Sequence, residues 1–76
     1  MVWPDRIVVD PAILSGKPVI RGTRLSVHLI LELLAAGSTE AEILQSYPGL
    51  ETEDIRACLA YASLLAHEWR AYPLPA

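Results

Sequence analysis

The sequence predicts a small, mostly α-helical domain in which a short N-terminal β-arm precedes a three-helix helix-turn-helix. Over positions 1–25, short β-branched runs alternate with turn residues, which is typical of short strands joined by turns. From Ser26 onward, apolar residues recur at helical spacing and capping residues precede each run. We therefore predict a β-arm over 1–25, three helices over 26–69 and an extended apolar tail over 70–76.

The β-arm contains two candidate strands. Ile7–Val9 and Pro18–Ile20 are short β-branched runs, and each is followed by turn residues. Between them, Asp10–Pro11 is a cap followed by a first-turn proline, so we expect one helical turn there that ends at Ser15–Gly16. Gly22–Thr23 then turns the chain after the second strand.

The first two helices have clear terminal signals. Ser26 can cap a helix over Val27–Ala36, and Gly37 suits the left-handed position that ends it. This helix is apolar on almost every face, which predicts burial on more than one side. Thr39 and Glu42 have the spacing of a capping box, which predicts the start of a short second helix.

The third helix follows a tight turn. Thr52 is its predicted cap, and Glu53 and Asp54 lie in its first turn, where the helix dipole favours negative charge. Its predicted inward face consists of Ile55, Cys58, Leu59, Ala62, Leu65, Ala66 and Trp69. A short helix, a tight turn and a longer helix form the outline of a helix-turn-helix.

Composition and charge limit the classes of protein to consider. The chain has 76 residues, of which 53% are hydrophobic, so we expect one folded domain that completes its core as a homodimer. With a single cysteine, no signal-peptide pattern and no long apolar run, we expect a cytoplasmic protein without a membrane partner. The net charge of −3 divides into +2 over residues 1–28 and −5 over residues 29–76, so the cations belong to the arm.

The patterns for catalysis and cofactor binding are incomplete. The Gly16–Lys17 pair is followed by Pro18, which lacks both the hydroxyl and the N–H that a phosphate-binding loop needs. His28 and Glu32 have i,i+4 spacing, but two ligands do not make a metal site. Cys58 lies on an apolar face, which is typical of a core cysteine. We therefore predict no enzymatic activity, no cofactor and no metal.

Nucleic-acid or partner binding remains open for the cations of the stretch GKPVIRGTR. Lys17, Arg21 and Arg24 could contact DNA phosphates, acidic groups on a partner, or water alone.

The start of the third helix is the second candidate contact. Thr52 and Arg56 could approach bases from this helix, although Glu53 and Asp54 would face phosphates at its entrance.

The C-terminal tail is the third candidate contact. Trp69, Tyr72 and Leu74 are large apolar groups separated by Arg70 and two prolines. They could anchor to a groove on another protein, or they could fold back on their own domain.

Three stretches of the chain together resemble the family catalogued as domain of unknown function 433. They are VDPAILSGKPVIRGTRLSV, LLAAGSTEAEILQSYPGL and EDIRACLAYA, and the resemblance as a whole runs from about Ile7 to Ala62. The family motif falls on Gly16, Lys17, Pro18, Arg21, Gly22, Thr23, Arg24, Tyr47, Pro48, Leu50, Asp54 and Ile55.

The resemblance implies a homeodomain-like helix-turn-helix that acts as an antitoxin in a toxin–antitoxin system. Such a protein would neutralise a PIN-like nuclease toxin, in the manner of VapBC-type systems, and would regulate its own operon by DNA binding. The alternatives are a DNA-binding regulator without a toxin partner, and a protein-interaction module that does not bind DNA.

Overall fold

The computed structural model describes residues 5–68 and confirms the predicted fold class. Two short strands, β1 and β2, form the arm, and three helices, α1 to α3, follow them. Their bounds are Ile7–Val8 for β1, Val19–Ile20 for β2, Val27–Ala35 for α1, Glu40–Ser46 for α2 and Thr52–Glu68 for α3.

The two strands pair antiparallel, with Ile7 opposite Ile20 and Val8 opposite Val19. The helical turn expected between them falls at Leu14–Gly16, later than Asp10–Pro11 alone would suggest. Its backbone is left-handed throughout, with φ angles of 47°, 57° and 87° along the three residues. The sequence signals only part of this geometry, since glycine favours such angles and leucine does not.

The predicted signals for the first two helices are confirmed. The Ser26 hydroxyl accepts a hydrogen bond from the Leu29 N–H at 3.0 Å, and Gly37 has a φ of 100°. The Thr39 hydroxyl accepts from the Glu42 N–H at 3.1 Å, and the Glu42 carboxylate accepts from the Thr39 N–H at 2.8 Å. These bonds satisfy N–H groups that helix starts otherwise leave without partners.

The predicted cap of the third helix is displaced by one residue. Thr52 is the first helical residue of α3. The Asp54 carboxylate accepts a hydrogen bond from the Glu51 N–H at 2.9 Å, so Glu51 occupies the position that we assigned to Thr52. An acid three residues into a helix can satisfy this N–H, and Asp54 does so here.

One core joins the arm to the helices. Its buried members come from both strands, all three helices and the turn before α3, and they are Ile7, Ile20, Val27, Ile30, Ile43, Leu50, Ile55, Ala57 and Cys58. The strands therefore contribute core side chains to the helical domain. None of the helices in the described part of the chain combines the length and hydropathy that a bilayer crossing requires.

Two predictions of burial differ from the structure: the burial of α1 on more than one side, and the inward face of α3. In α1 only Val27 and Ile30 are fully buried, and the leucines of this helix are half-buried. In α3 Leu59 and Leu65 are 45% and 44% exposed, and Ala66 is also exposed. Helical spacing continues past the core, so it overestimates burial in the second half of a long helix.

Candidate cationic interface

The arginine loop, residues 20–25, follows β2 and carries Arg21 and Arg24. Its ends are joined by a hydrogen bond from the Ile20 N–H to the Leu25 carbonyl at 2.9 Å. Inside the loop, the Thr23 hydroxyl donates to the Ile20 carbonyl at 2.7 Å and accepts from the Leu25 N–H at 3.0 Å. Since the backbone is fixed at both ends and in the middle, the two exposed arginines project from a well-defined support.

Arg6 connects this loop to the start of α3. The Arg21 N–H donates to the Arg6 carbonyl at 2.8 Å. The Arg6 side chain then donates from Nη1 to Asp54 at 2.9 Å and to Glu51 at 3.0 Å. We call this set of three charged residues, Arg6, Glu51 and Asp54, the Arg6 clamp. It holds the loop and the first turn of α3 on the same side of the molecule.

The two carboxylates of the Arg6 clamp stabilise the charged form of Arg6. Hydrogen bonds to Asp54 and, less strongly, to Glu51 raise the pKa of Arg6 above its ordinary value. Asp54 is only 7% exposed, and both of its carboxylate oxygens accept hydrogen bonds. A buried carboxylate that is satisfied in this way is a structural group.

The clamp changes the expectation for the start of α3. We expected Glu53 and Asp54 both to face phosphates, but Asp54 points into the structure and only Glu53 is exposed. Arg56 is exposed in the second turn of α3, and Thr52 is half-buried. The surface at this helix start is therefore less acidic than the sequence indicates.

The three cations of GKPVIRGTR do not form one patch. All three are exposed, but Lys17 and Arg21 lie beyond opposite ends of β2. Lys17 lines a groove together with Leu31 of α1 and Leu65 of α3. The backbone N–H of Arg21 instead donates to the carbonyl of Arg6, whose side chain binds the start of α3.

The arginines outside the clamp are available for contacts. Within residues 5–68, the ion pairs are those of Arg6 with Glu51 and Asp54, and His28 lies close enough to Glu32 to pair with it whenever its imidazole is protonated. None of these pairs uses the exposed cations, which are Lys17, Arg21, Arg24 and Arg56.

Two other candidate groups have structural explanations. The His28 and Glu32 side chains are 3.4 Å apart and exposed, and residues 5–68 contain no group of three or more potential metal ligands. Cys58 is completely buried, as predicted for a core cysteine. Burial first, and then the negative charge of Asp54, raises its pKa to about 11. Its thiol is therefore neutral near pH 7.

Sequence reasoning missed Arg6. Its partners lie 45 and 48 residues further along the chain, so no local pattern connects them. The tail residues Trp69, Arg70, Tyr72 and Leu74, which we considered as partner contacts, lie outside the described residues.

Comparison with known proteins supports the resemblance. A crystal structure of a DUF433 member protein from Anabaena variabilis ATCC 29413 superimposes with a TM-score of 0.77 at 30% identity. The superposition covers 83% of this chain and 62% of that one. The uncharacterized protein y4eO of Sinorhizobium fredii (strain NBRC 101917 / NGR234) is 39% identical over 56 residues, which make up 74% of this chain and 25% of y4eO. The chain thus spans about a quarter of y4eO.

The family model described as "Protein of unknown function (DUF433)" matches residues 7–62. This range contains β1, the arginine loop, all of α1 and α2, and the part of α3 that packs in the core. Since the match extends over most of the sequence, the chain belongs to the DUF433 family.

Proposed function

We propose that this protein is an antitoxin that binds and neutralises a PIN-like nuclease through its arginine loop, and that it has no enzymatic activity of its own. The observation that supports this most directly is the exposure of Arg21 and Arg24 on a loop that internal hydrogen bonds hold in place. A nuclease of this kind gathers carboxylates around a metal ion. Arginine is well suited to such a site because its planar guanidinium can form paired hydrogen bonds with a carboxylate.

The rigidity of the loop supports tight binding. An interface formed by flexible side chains and loops loses conformational entropy when it becomes ordered. Here the Thr23 hydroxyl and the Arg6 carbonyl already fix the backbone on both sides of Arg21. Binding would therefore order the two arginine side chains and little of the backbone.

Operator DNA is the second proposed ligand, and the Arg6 clamp favours it. With Asp54 turned inward, Arg56 is an exposed cation near the start of α3, the helix from which we predicted an approach to bases. Such helices present residues near their N-termini to base edges. The arginine loop lies on the same side and would contact phosphates, which position a protein on DNA without reading its sequence.

We further propose that the protein acts as a cytoplasmic homodimer. Leu29 and Leu33 of α1 are only half-buried within one chain, and Ala36 after its last turn is exposed. A second copy would cover this apolar surface.

The test is capture of the protein encoded by the adjacent open reading frame, which the antitoxin function predicts to be a small nuclease. The two are co-expressed, with an affinity tag on this protein, and the captured nuclease and its residual RNase activity are measured. We expect the wild type to capture and inhibit the nuclease. The double variant Arg21→Ala/Arg24→Ala should lose at least tenfold in affinity, because two charge-assisted contacts disappear.

The single variant Arg56→Ala is the matched control, since it removes an exposed arginine outside the loop. It should capture the nuclease normally. Equal capture by the loop variant and the wild type would show that the nuclease contacts a different part of this protein. Failure of the correctly folded wild type to capture the nuclease would contradict the antitoxin function.

A further inference from the structure

A largely apolar groove is lined by residues of the arm, of α1 and of the second half of α3. Its apolar lining residues are Pro18 of the arm, Val27 and Leu31 of α1, and Tyr61 and Leu65 of α3, and Lys17 and His28 complete the lining. Leu65 is 44% exposed although it lies on the same helical face as the buried Cys58. The core-facing stripe of α3 therefore continues beyond the part of the helix that the core covers.

The size of the groove favours side chains as its occupant. Its volume is about 260 Å³, whereas small-molecule sites commonly have about 300–1,000 Å³. It has room for one or two large apolar side chains. Residues 69–76 supply such groups immediately after α3, in Trp69, Tyr72 and Leu74.

We propose that the segment 69–76 docks in this groove of its own chain, as an intramolecular ligand. This inference goes beyond the proposed function and does not depend on it. It would make the tail part of the domain, so the partner contact would belong to the arginine loop.

Chain length permits this docking without any rearrangement of α3. A helix rises about 1.5 Å per residue, so Leu65 and Tyr61 lie roughly 5 and 10 Å back along the axis from Glu68. An extended chain covers up to about 3.5 Å per residue, so the four residues from Trp69 to Tyr72 can span about 14 Å. Tyr72 can therefore reach both groove residues of α3.

The tether favours the same chain over a second copy, and the prolines of the segment favour docking itself. A short tether gives its ligand an effective concentration of about 1 mM or more, which exceeds micromolar protein concentrations. Pro73 and Pro75 restrict the backbone before docking, which lowers the entropy lost when the segment becomes ordered.

The experiment measures the distance from the tail to the groove in the full chain. A nitroxide spin label is attached at Ala76→Cys in a Cys58→Ala background, and the methyl signals of Val27, Leu31 and Leu65 are recorded by NMR. We expect strong paramagnetic broadening of these signals relative to the reduced label. Undiminished groove signals would overturn the proposal.

A mixing experiment separates the two possible occupants, and a pair of variants tests the groove itself. In the mixing experiment, isotope-labelled chains without the nitroxide are combined with chains that carry the nitroxide but no isotope label. Broadening of the groove signals in this mixture would assign the groove to a second copy and overturn docking within one chain. Leu65→Ser should weaken docking about tenfold or more, because it removes an apolar wall of the groove. Leu59→Ser, which changes an equally exposed leucine outside the groove lining, should leave the broadening unchanged.

Discussion

Replacing Asp54 should destabilise the protein far more than replacing its exposed neighbour. Asp54→Ala removes the carboxylate that accepts from Arg6 at 2.9 Å and from the Glu51 N–H at 2.9 Å. Hydrogen bonds to a charged group contribute about 1.5–3 kcal/mol, and the solvent accessibility of Arg6 lowers its share. We expect the free energy of unfolding to fall by about 2–3 kcal/mol in total, from roughly 4–11 kcal/mol for a domain of this length.

Glu53→Ala is the matched control. It removes the same charge from the same helical turn, but Glu53 is exposed. Its free energy of unfolding should differ from that of the wild type by no more than about 0.5 kcal/mol. Urea unfolding followed by circular dichroism at 222 nm would compare the two variants, and the Asp54 variant should also melt about 10–20 °C lower than the wild type. Equal midpoints for the two variants would refute the structural role of the Arg6 clamp.

Three further predictions concern the thiol, the assembly and DNA. Cys58 should resist Ellman's reagent at pH 8 until the protein is denatured. Folding raises the pKa of Cys58 from 9.0 to about 11. Its contribution to the free energy of unfolding is therefore complete below pH 9 and should be lost toward pH 11, and Cys58→Ala should remove this pH dependence. Rapid labelling of the native protein would contradict this. Light scattering at micromolar concentration should give about twice the chain mass of 8.3 kDa, and a monomer would rule out the proposed dimer. Arg21→Ala and Arg24→Ala should each lower the salt slope of DNA binding by about one for all sequences, whereas Arg56→Ala should change sequence preference. Absence of any gel shift at low salt, with or without the nuclease, would refute a DNA role.

Local features of the fold could be predicted from the sequence. The Ser26 cap, the Thr39–Glu42 capping box and the left-handed Gly37 each depend on residues within four positions of one another. The same holds for the β-branched runs that form the two strands. In each case a few neighbouring side chains and their hydrogen bonds determine the backbone conformation.

Features that depend on the packing of distant elements could not be predicted in this way. The exposure of Leu65 depends on where the core ends beside α3, and helical spacing carries no information about that. The separation of Lys17 from Arg21 depends on the direction of β2 relative to the helices. For the candidate site, residue types were informative about which cations are exposed, but not about which of them lie together.

The Arg6 clamp explains how an acidic protein can present a cationic surface. The chain has a net charge of −3, and seven of its nine acids follow residue 28. Two of these acids, Glu51 and Asp54, lie beside the arginine loop, and Arg6 binds both of them. Their charge is thereby partly compensated, which would favour the contacts that we propose for Arg21 and Arg24. Arg6 therefore supports the proposed interface in two ways, by holding the loop against α3 and by neutralising part of the negative charge next to it.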